Sequence, residues 1–143
     1  MSNSMLADGD RGPDPSPTVL VIDDHEGVRD SIAAVLEADG FRVVVAADGD
    51  QGLSAFHAAR PDAVITDIVM PVKDGIEVIR EIRRERQDVG IVAITGGPCS
   101  GNATLRTIAV EVGADAGLLK PFDPEHLVDA LRAALQRHRA GAK

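Results

Sequence analysis

Five polar side chains could do chemistry together if the fold brings them to one place. Asp23 and Asp24 follow one short apolar run, Asp67 and Thr95 follow two others, and Lys120 follows a fourth. Carboxylates about 4 Å apart repel by roughly 4 kcal/mol per pair at an effective dielectric constant of 20, so such a cluster favours a bound cation. An all-oxygen site of this charge suits Mg²⁺. A carboxylate beside Mg²⁺ can also attack phosphorus, with a lysine and a hydroxyl contacting the phosphoryl oxygens.

The elements that must position these residues are short apolar runs that alternate with segments of helical periodicity. Most of the runs are continuously apolar, which is typical of parallel strands covered on both faces. The predicted strands are residues 19–22, 43–46, 63–66, 91–94 and 116–119. Between them, apolar residues recur at helical spacing, as in Val28, Ile32 and Leu36 or in Leu127, Leu131 and Leu135.

The predicted helix ends support the same division of the chain. Gly40 and Gly113 follow the first and fourth helices, where a left-handed residue would end them. Asp123 is a suitable N-cap for the last helix, with Pro124 at its first position. Five strands alternating with five helices predict a doubly wound α/β protein. Its ligand site should lie at the carboxyl ends of the strands.

Each chemical candidate also has an ordinary structural interpretation. Asp23 and Asp24 could cap the first helix, Asp67 could begin a turn, and Lys120 could be a solvated strand end. The predicted fold depends only on hydrophobic periodicity and not on this chemistry, yet it puts all of these residues at one edge of the sheet. A shared site therefore explains them better than separate structural roles do.

Composition limits the function further. The chain has 143 residues with 15 basic and 23 acidic side chains, and a net charge of −8 disfavours a bare nucleic-acid binder. Residues 1–17 have almost no apolar content and are predicted to be a disordered tail. A single cysteine, Cys99, fits a reducing compartment, and no apolar run reaches the roughly 18 residues of a spanning helix. We expect a cytoplasmic protein.

Four segments resemble the receiver domain of two-component response regulators. They read VLVIDDHEGVR, VITDIVMPVKDGIEVI, AIT and GADAGLLKPF, in the family's order. The resemblance covers residues 18–138 and leaves 139–143 as a short tail. It implies a stand-alone receiver with a five-stranded parallel sheet in the flavodoxin-like order 2-1-3-4-5.

The resemblance also implies roles for the acidic residues. Asp67 would be the phosphoacceptor. Asp24 and Asp67 would bind Mg²⁺ directly, Asp23 would act mainly through water, and the main-chain carbonyl of Val69 would complete the protein ligands.

For the phosphoryl group, the resemblance implies contacts from Thr95 and Lys120. It further implies a cis peptide bond between Lys120 and Pro121, which places the lysine ammonium.

The implied function is phosphoryl transfer from a histidine kinase or a histidine phosphotransfer protein to Asp67. Such a protein is not an enzyme with an external substrate, because it catalyses only its own phosphorylation and dephosphorylation. It would act as a monomer or weak dimer through the fourth helix, fifth strand and fifth helix on a downstream protein. Neither nucleic acid nor membrane is an expected partner.

Two other functions stay open at this point. A pseudo-receiver would act as an interaction module without phosphorylation, although all five site residues are present. A Mg²⁺-dependent phosphohydrolase would want an Asp-x-Asp pair, whereas Asp23 and Asp24 are adjacent. The chain could also be a fragment of a larger regulator.

Three other features of the sequence have interpretations of their own: the glycine-rich residues 96–101, Gly117 and the charged residues 80–86. Residues 96–101 have the glycine spacing of a phosphate-binding loop, but Asn102 and Ala103 stand where that loop needs Lys and Ser or Thr. Gly117 falls where many receivers carry an aromatic residue, so we hypothesise that the signal passes through reordering of residues 96–102 and the fourth helix. Residues 80–86 are rich in charge and are interpreted as a solvated helix face.

Overall fold

A computed structural model of the chain describes residues 16–96 and 102–141. Within them, a five-stranded parallel sheet has the order β2-β1-β3-β4-β5. The strands are β1 (Thr18–Ile22), β2 (Arg42–Ala46), β3 (Ala63–Asp67), β4 (Gly90–Thr95) and β5 (Ala116–Leu119). The helices are α1 (Glu26–Ala38), α2 (Gly49–Ala59), α3 (Gly75–Glu85), α4 (Asn102–Val112) and α5 (Pro124–Gly141). The predicted fold class and strand order are confirmed.

The strands are apolar on both faces because each face is covered by helices. Along β1, Leu20 and Ile22 belong to a core shared with α2, α3 and α4, whereas Val19 and Val21 belong to a second core shared with α1 and α5. Every residue of β3 and β4 is buried. This burial explains why the strands read as continuous apolar runs and not as alternating ones.

The register of the sheet aligns the strand ends at one edge. Ile22 is paired with Thr66, Asp67 with Ile94, and Thr95 with Leu119. The residues that follow these pairs therefore emerge side by side at the carboxyl edge. This is the edge at which doubly wound proteins bind ligands.

Local sequence signals mark the beginnings and ends of several helices. Gly40 and Gly113 have φ angles of 95° and 137°, which confirms the left-handed ends of α1 and α4. The Asp74 carboxylate caps α3 by accepting a hydrogen bond of 2.9 Å from the Glu77 amide. At α5, Asp123 accepts from the Glu125 amide at 2.9 Å, as its predicted capping role requires. The helix then continues to Gly141, beyond the predicted domain boundary at 138.

The interpretation of residues 80–86 as a solvated face is wrong for Arg83. Only 14% of its side chain is exposed, and its guanidinium donates to the main-chain oxygens of Gly113 and Val89 at 2.9 and 2.6 Å. It also forms an ion pair of 3.1 Å with Asp115. Burial lowers the pKa of Arg83, while Asp115 opposes that change. A charge pattern alone does not reveal that this arginine joins α3 to the segment before β5.

Candidate functional site

The three acidic residues singled out in the sequence meet at the carboxyl edge of the sheet. Asp23 and Asp24 follow β1, and Asp67 ends β3 beside it. One carboxylate oxygen from each lies within 4.8 Å of the others. Asp23 and Asp67 are buried and Asp24 is exposed. The fold thus assembles an oxygen-only cluster that is open to solvent on the side of Asp24.

Lys120 lies against the two buried carboxylates. Its Nζ is 3.3 Å from Oδ2 of Asp23 and 3.4 Å from Oδ2 of Asp67. The exposed fractions of the side chains are 22% for Lys120, 0% for Asp23 and 8% for Asp67. The other carboxylate oxygen of Asp67 accepts a hydrogen bond of 2.8 Å from the Ile68 amide. One ammonium thus faces two carboxylates, which leaves the cluster with excess negative charge.

The electrostatic environment of Asp67 is unfavourable to its charged form. Burial raises the pKa of Asp67 above its ordinary value, and the nearby Asp23 carboxylate raises that pKa further. Lys120 and the Ile68 amide act in the opposite direction, but the resulting pKa is still raised. A divalent cation beside Asp67 would favour the ionised form, which is the form that can attack phosphorus.

Thr95 and Lys120 are held together by the backbone at the ends of β4 and β5. The Lys120 amide donates to the Thr95 carbonyl at 2.8 Å, and the Lys120-Pro121 bond is cis, as the sequence predicted. The lysine side chain then crosses Gly96, where a Cβ atom would lie 2.7 Å from Lys120 Cδ. Gly96 therefore needs to be small because the lysine stem occupies the space above it.

The Thr95 hydroxyl is the one unsatisfied buried side-chain polar atom among the described residues. Only 1% of Thr95 is exposed, and its Oγ1 atom has no hydrogen-bond partner in the parts of the chain that the structure describes. Buried polar groups without partners are costly and uncommon in native proteins. An incoming oxygen-rich ligand would satisfy this hydroxyl.

The segment between β3 and α3, residues 68–74, turns back closely on the end of β3. The Gly75 amide donates to the Ile68 carbonyl at 2.7 Å. A Cβ atom at Gly75 would lie 2.1 Å from the carbonyl oxygen of Asp67, so no larger residue fits there. Within the segment, Met70 is 8% exposed and Val69 is 62% exposed. The exposed Val69 is the residue whose main-chain carbonyl was predicted to bind Mg²⁺.

Two arginines that were not singled out in the sequence contact the acidic pair and β5, respectively. Arg29 of α1 donates to the main-chain carbonyl of Asp23 at 2.9 Å and so supports the first acidic pair. Arg106 of α4 lies over Gly117, where a Cβ atom would be 2.4 Å from Arg106 Cγ. The aliphatic part of Arg106 thus occupies the space beside Gly117, the position at which many receivers carry an aromatic side chain. Nothing in the sequence pairs these residues, since both contacts depend on how helices pack on strands.

The hypothesis about residues 96–102 falls mostly outside the described residues. Residues 97–101, which include Cys99, are not part of them, and neither are residues 1–15 of the predicted tail. Among the described residues, no helix combines the length and the apolar character that crossing a bilayer requires.

The donor set fits a hard divalent cation. The three carboxylates converge within the span that one ion can bridge, and all of their donor atoms are oxygen. Lys120 neutralises only part of their charge. The cluster also lies between β1 and β3, where the chain direction across the sheet reverses. Flavodoxin-like α/β proteins bind their ligands at this position. The fold and the site together place the protein in the flavodoxin-like class of doubly wound α/β proteins.

Comparison with known proteins identifies the family within this class to which the chain is similar. A family model, the response regulator receiver domain, matches residues 19–132. A probable transcriptional regulator, ycf27 of Guillardia theta, is 40% identical over 124 residues, which are 87% of this chain and 47% of that protein. The response regulator MprA of Mycolicibacterium vanbaalenii is 38% identical over 119 residues, covering 83% of this chain and 50% of the relative. The chain spans about half the length of the curated relatives it matches.

Solved structures show the same likeness. A response regulator receiver domain protein from Clostridium thermocellum has a TM-score of 0.81 at 31% identity, covering 87% of this chain and 98% of that one. The chemotaxis response regulator CheY4 of Vibrio cholerae has a TM-score of 0.74, also at 31% identity, with 84% and 99% covered. The chain belongs to the response regulator receiver domain family of two-component systems.

Proposed function

We propose that the protein accepts a phosphoryl group on Asp67 from a phosphohistidine donor and passes on a signal in that form. The observation that carries the proposal is the joint placement, at one strand edge, of a buried carboxylate, a lysine 3.4 Å from it and the Thr95 hydroxyl, which has no partner among the described residues. Asp67 is the nucleophile, and Lys120 and Thr95 supply contacts for the phosphoryl oxygens. The protein performs this chemistry on itself, because the phosphoryl acceptor is its own Asp67 and not an external substrate.

In the reaction, a carboxylate oxygen of Asp67 forms a bond to phosphorus as the bond between phosphorus and the donor imidazole nitrogen breaks. The imidazole takes the bonding electron pair and leaves as a neutral ring after gaining a proton. Hydrolysis of the aspartyl phosphate by water returns the carboxylate and inorganic phosphate. Since the transferring group is anionic throughout, positioning and charge stabilisation supply most of the catalysis.

Different residues of the chain supply charge neutralisation, hydrogen bonding and metal binding. Lys120 is already within 3.4 Å of Asp67 and neutralises negative charge on the transferring group. Thr95 donates its hydroxyl to a phosphoryl oxygen. Asp24 and Asp67 would hold Mg²⁺ directly, Asp23 would act mainly through water, and the main-chain carbonyl of Val69 would complete the set. When bound, Mg²⁺ supplies the positive charge that the carboxylates and the phosphoryl oxygens lack.

Intact mass after incubation with acetyl phosphate and Mg²⁺ tests the proposal. Wild type should gain one phosphoryl group, and Asp67→Asn should gain none because its amide is a poor nucleophile. Removing Mg²⁺ with a chelator should abolish the adduct.

A short-lived phosphate is covered by a second measurement, the binding of beryllofluoride, which mimics an aspartyl phosphate without hydrolysing. If wild type shows neither an adduct nor beryllofluoride binding, the proposal is wrong and the pseudo-receiver function takes its place. Continuous turnover of a small phosphate ester would instead favour the phosphohydrolase.

A groove beside the site suits the phosphodonor. It has a volume of about 790 Å³ and lies between α1 and the start of α5, with Lys120 and His25 at the end nearest the acids. Its walls are mostly apolar and include Val28, Val35 and Phe122. A donor histidine must bring phosphorus within bonding distance of Asp67, so the donor protein has to cover this rim. We assign the groove to an amphipathic helix of the histidine kinase or phosphotransfer protein.

Val28→Glu separates donor docking from chemistry. The half-buried Val28 lines the groove and contributes to the α1 core without touching the acids. We expect phosphorylation by acetyl phosphate to be unchanged. Transfer from whichever purified histidine kinase phosphorylates wild type should fall at least about tenfold, because a carboxylate would enter an apolar contact. Equal loss with both donors would contradict the assignment of the groove.

Partners of the whole protein are also proposals. The response regulators to which the chain is similar are about twice its matched length. We propose that the receiver domain itself acts in the cytoplasm and contacts proteins, through α4, β5 and α5, and not nucleic acid. The net charge of −8 supports that choice.

A further inference from the structure

The segment between β3 and α3 contains an unfavourable backbone conformation. Val72 has a φ of 72°, in the left-handed region, and its side chain does not compensate because 76% of it is exposed. A β-branched residue in this region is a steric outlier, so the conformation is unfavourable unless other contacts support it. Something else must hold the turn in place.

The neighbouring Lys73 supplies the contacts that hold it. Lys73 Nζ lies 2.8 Å from Glu81 of α3 and 3.7 Å from Asp50 in the first turn of α2. Only 21% of the lysine side chain is exposed. The hydrogen bond to Glu81 raises the pKa of Lys73, so its ammonium stays charged in any ordinary assay.

The backbone of Lys73 is equally constrained. Its amide donates to the Pro71 carbonyl at 2.8 Å, which closes a tight turn around Val72. Its carbonyl oxygen would lie 2.5 Å from a Cβ atom at Gly49, so this end of the segment packs directly against α2. The other end is attached to β3 through the hydrogen bond between the Gly75 amide and the Ile68 carbonyl.

Val69 lies between these two attachments and is mostly exposed. Only the buried Met70 separates it from the strained turn. The position of the Val69 carbonyl therefore depends on whether the turn at Val72 keeps its conformation.

We propose that Lys73 is a positioning residue for the site: by tying the turn to α2 and α3, it holds the Val69 carbonyl where Mg²⁺ is bound. The part of this proposal that concerns Mg²⁺ rests on the proposed function, whereas the tether itself does not. Lys73 touches neither the acids nor the reacting atoms, so its effect is indirect.

Whether Lys73→Met weakens or tightens Mg²⁺ binding distinguishes a positioning role of Lys73 from simple charge repulsion between Lys73 and the cation. Removing a positive charge near a cation site should tighten Mg²⁺ binding if only through-space repulsion mattered. Loss of positioning should weaken it. Calorimetric titration of Mg²⁺ into Lys73→Met should show a dissociation constant roughly threefold to tenfold higher than in wild type. Lys73→Arg, which keeps the ion pair, should remain close to wild type.

Two further variants make the test specific. Val72→Gly added to Lys73→Met should restore most of the affinity, because glycine adopts a positive φ without strain and no longer needs the tether. Arg132→Met is the matched control for charge. It removes an exposed ion pair to Asp39, at the end of α1 farthest from the acids, and should leave the affinity unchanged.

Amide hydrogen exchange of residues 69–73 in metal-free protein measures the tether without Mg²⁺. We expect faster exchange in Lys73→Met than in wild type. Faster exchange together with no Mg²⁺ binding by wild type would retain the tether and reject the proposed metal site. Unchanged exchange, or tighter Mg²⁺ binding in Lys73→Met, would overturn the inference.

Discussion

Lys120→Met should destabilise the metal-free protein by about 2 to 3 kcal/mol, because it removes the ammonium that faces two buried carboxylates. Methionine keeps most of the stem that packs over Gly96, so the loss reports mainly on charge. Urea unfolding in the presence of a chelator measures the difference. Adding Asp67→Asn to Lys120→Met should recover most of the lost stability, since one of the two unpaired carboxylates is then neutral.

The stability lost in Lys120→Met should depend on pH through the protonation of Asp67. Because burial and Asp23 raise the pKa of Asp67 in the folded protein, the folded state binds more protons at Asp67 than the unfolded state between the ordinary value of 3.8 and the raised pKa. The contribution of Asp67 to stability therefore falls as pH rises through that window. Lys120→Met should widen the window, so the difference from wild type should be largest at neutral pH and smallest below about pH 3.8.

A matched control and a second ligand check the cause of this effect. Arg132→Met, which removes a half-exposed ion pair, should cost less than about 1 kcal/mol. Mg²⁺ should restore part of the stability lost in Lys120→Met, because a ligand that binds only the folded state stabilises it. A Lys120→Met protein as stable as wild type in chelator would show that the lysine does not hold the carboxylates.

Gly75→Ala should cost about 3 kcal/mol and weaken Mg²⁺ binding at the same time. The added Cβ would lie 2.1 Å from the Asp67 carbonyl oxygen and 2.7 Å from Ile68 Cα, and neither backbone atom can move without shifting the end of β3. The cost is steric, because Gly75 is the first residue of α3 and has no positive φ. Urea unfolding and Mg²⁺ titration measure the two effects.

Gly27→Ala is the matched control for Gly75→Ala. Gly27 also lies in the first turn of its helix, α1, but a Cβ atom there would meet only the His25 ring at an ordinary 3.7 Å. Alanine should be neutral there, or stabilising by up to about 1 kcal/mol through helix propensity. Similar losses in the two variants would mean that helix-start glycines matter in general and that the Asp67 contact does not.

The family, the strand order and the set of candidate site residues could all be predicted from the sequence. Continuous apolar runs at 63–66 and 91–94 indicate buried parallel strands, and parallel strands bring their carboxyl ends to one edge. Residues that immediately follow such runs, such as Asp67 and Lys120, are therefore neighbours in space even though 53 positions separate them. The spacing of the D-x-x-M-P-x-x-D-G run carries the same information in one segment.

Contacts between side chains on different elements could not be predicted. Arg83 lies within a charged stretch that resembles a solvated face, yet it is buried against Asp115 because α3 packs beside the turn before β5. Lys73 likewise appears as an ordinary loop lysine until α2 and α3 place Asp50 and Glu81 beside it.

Hydrophobic periodicity is a local property of each segment, so the sequence is enough to predict which residues are available for chemistry and at which edge of the sheet they emerge. The three-dimensional packing was needed to show that the buried Thr95 hydroxyl has no partner among the described residues and that Gly75 has no room for a side chain. These properties depend on distances of a few ångströms between segments far apart in the chain. No pattern within a single segment contains such distances.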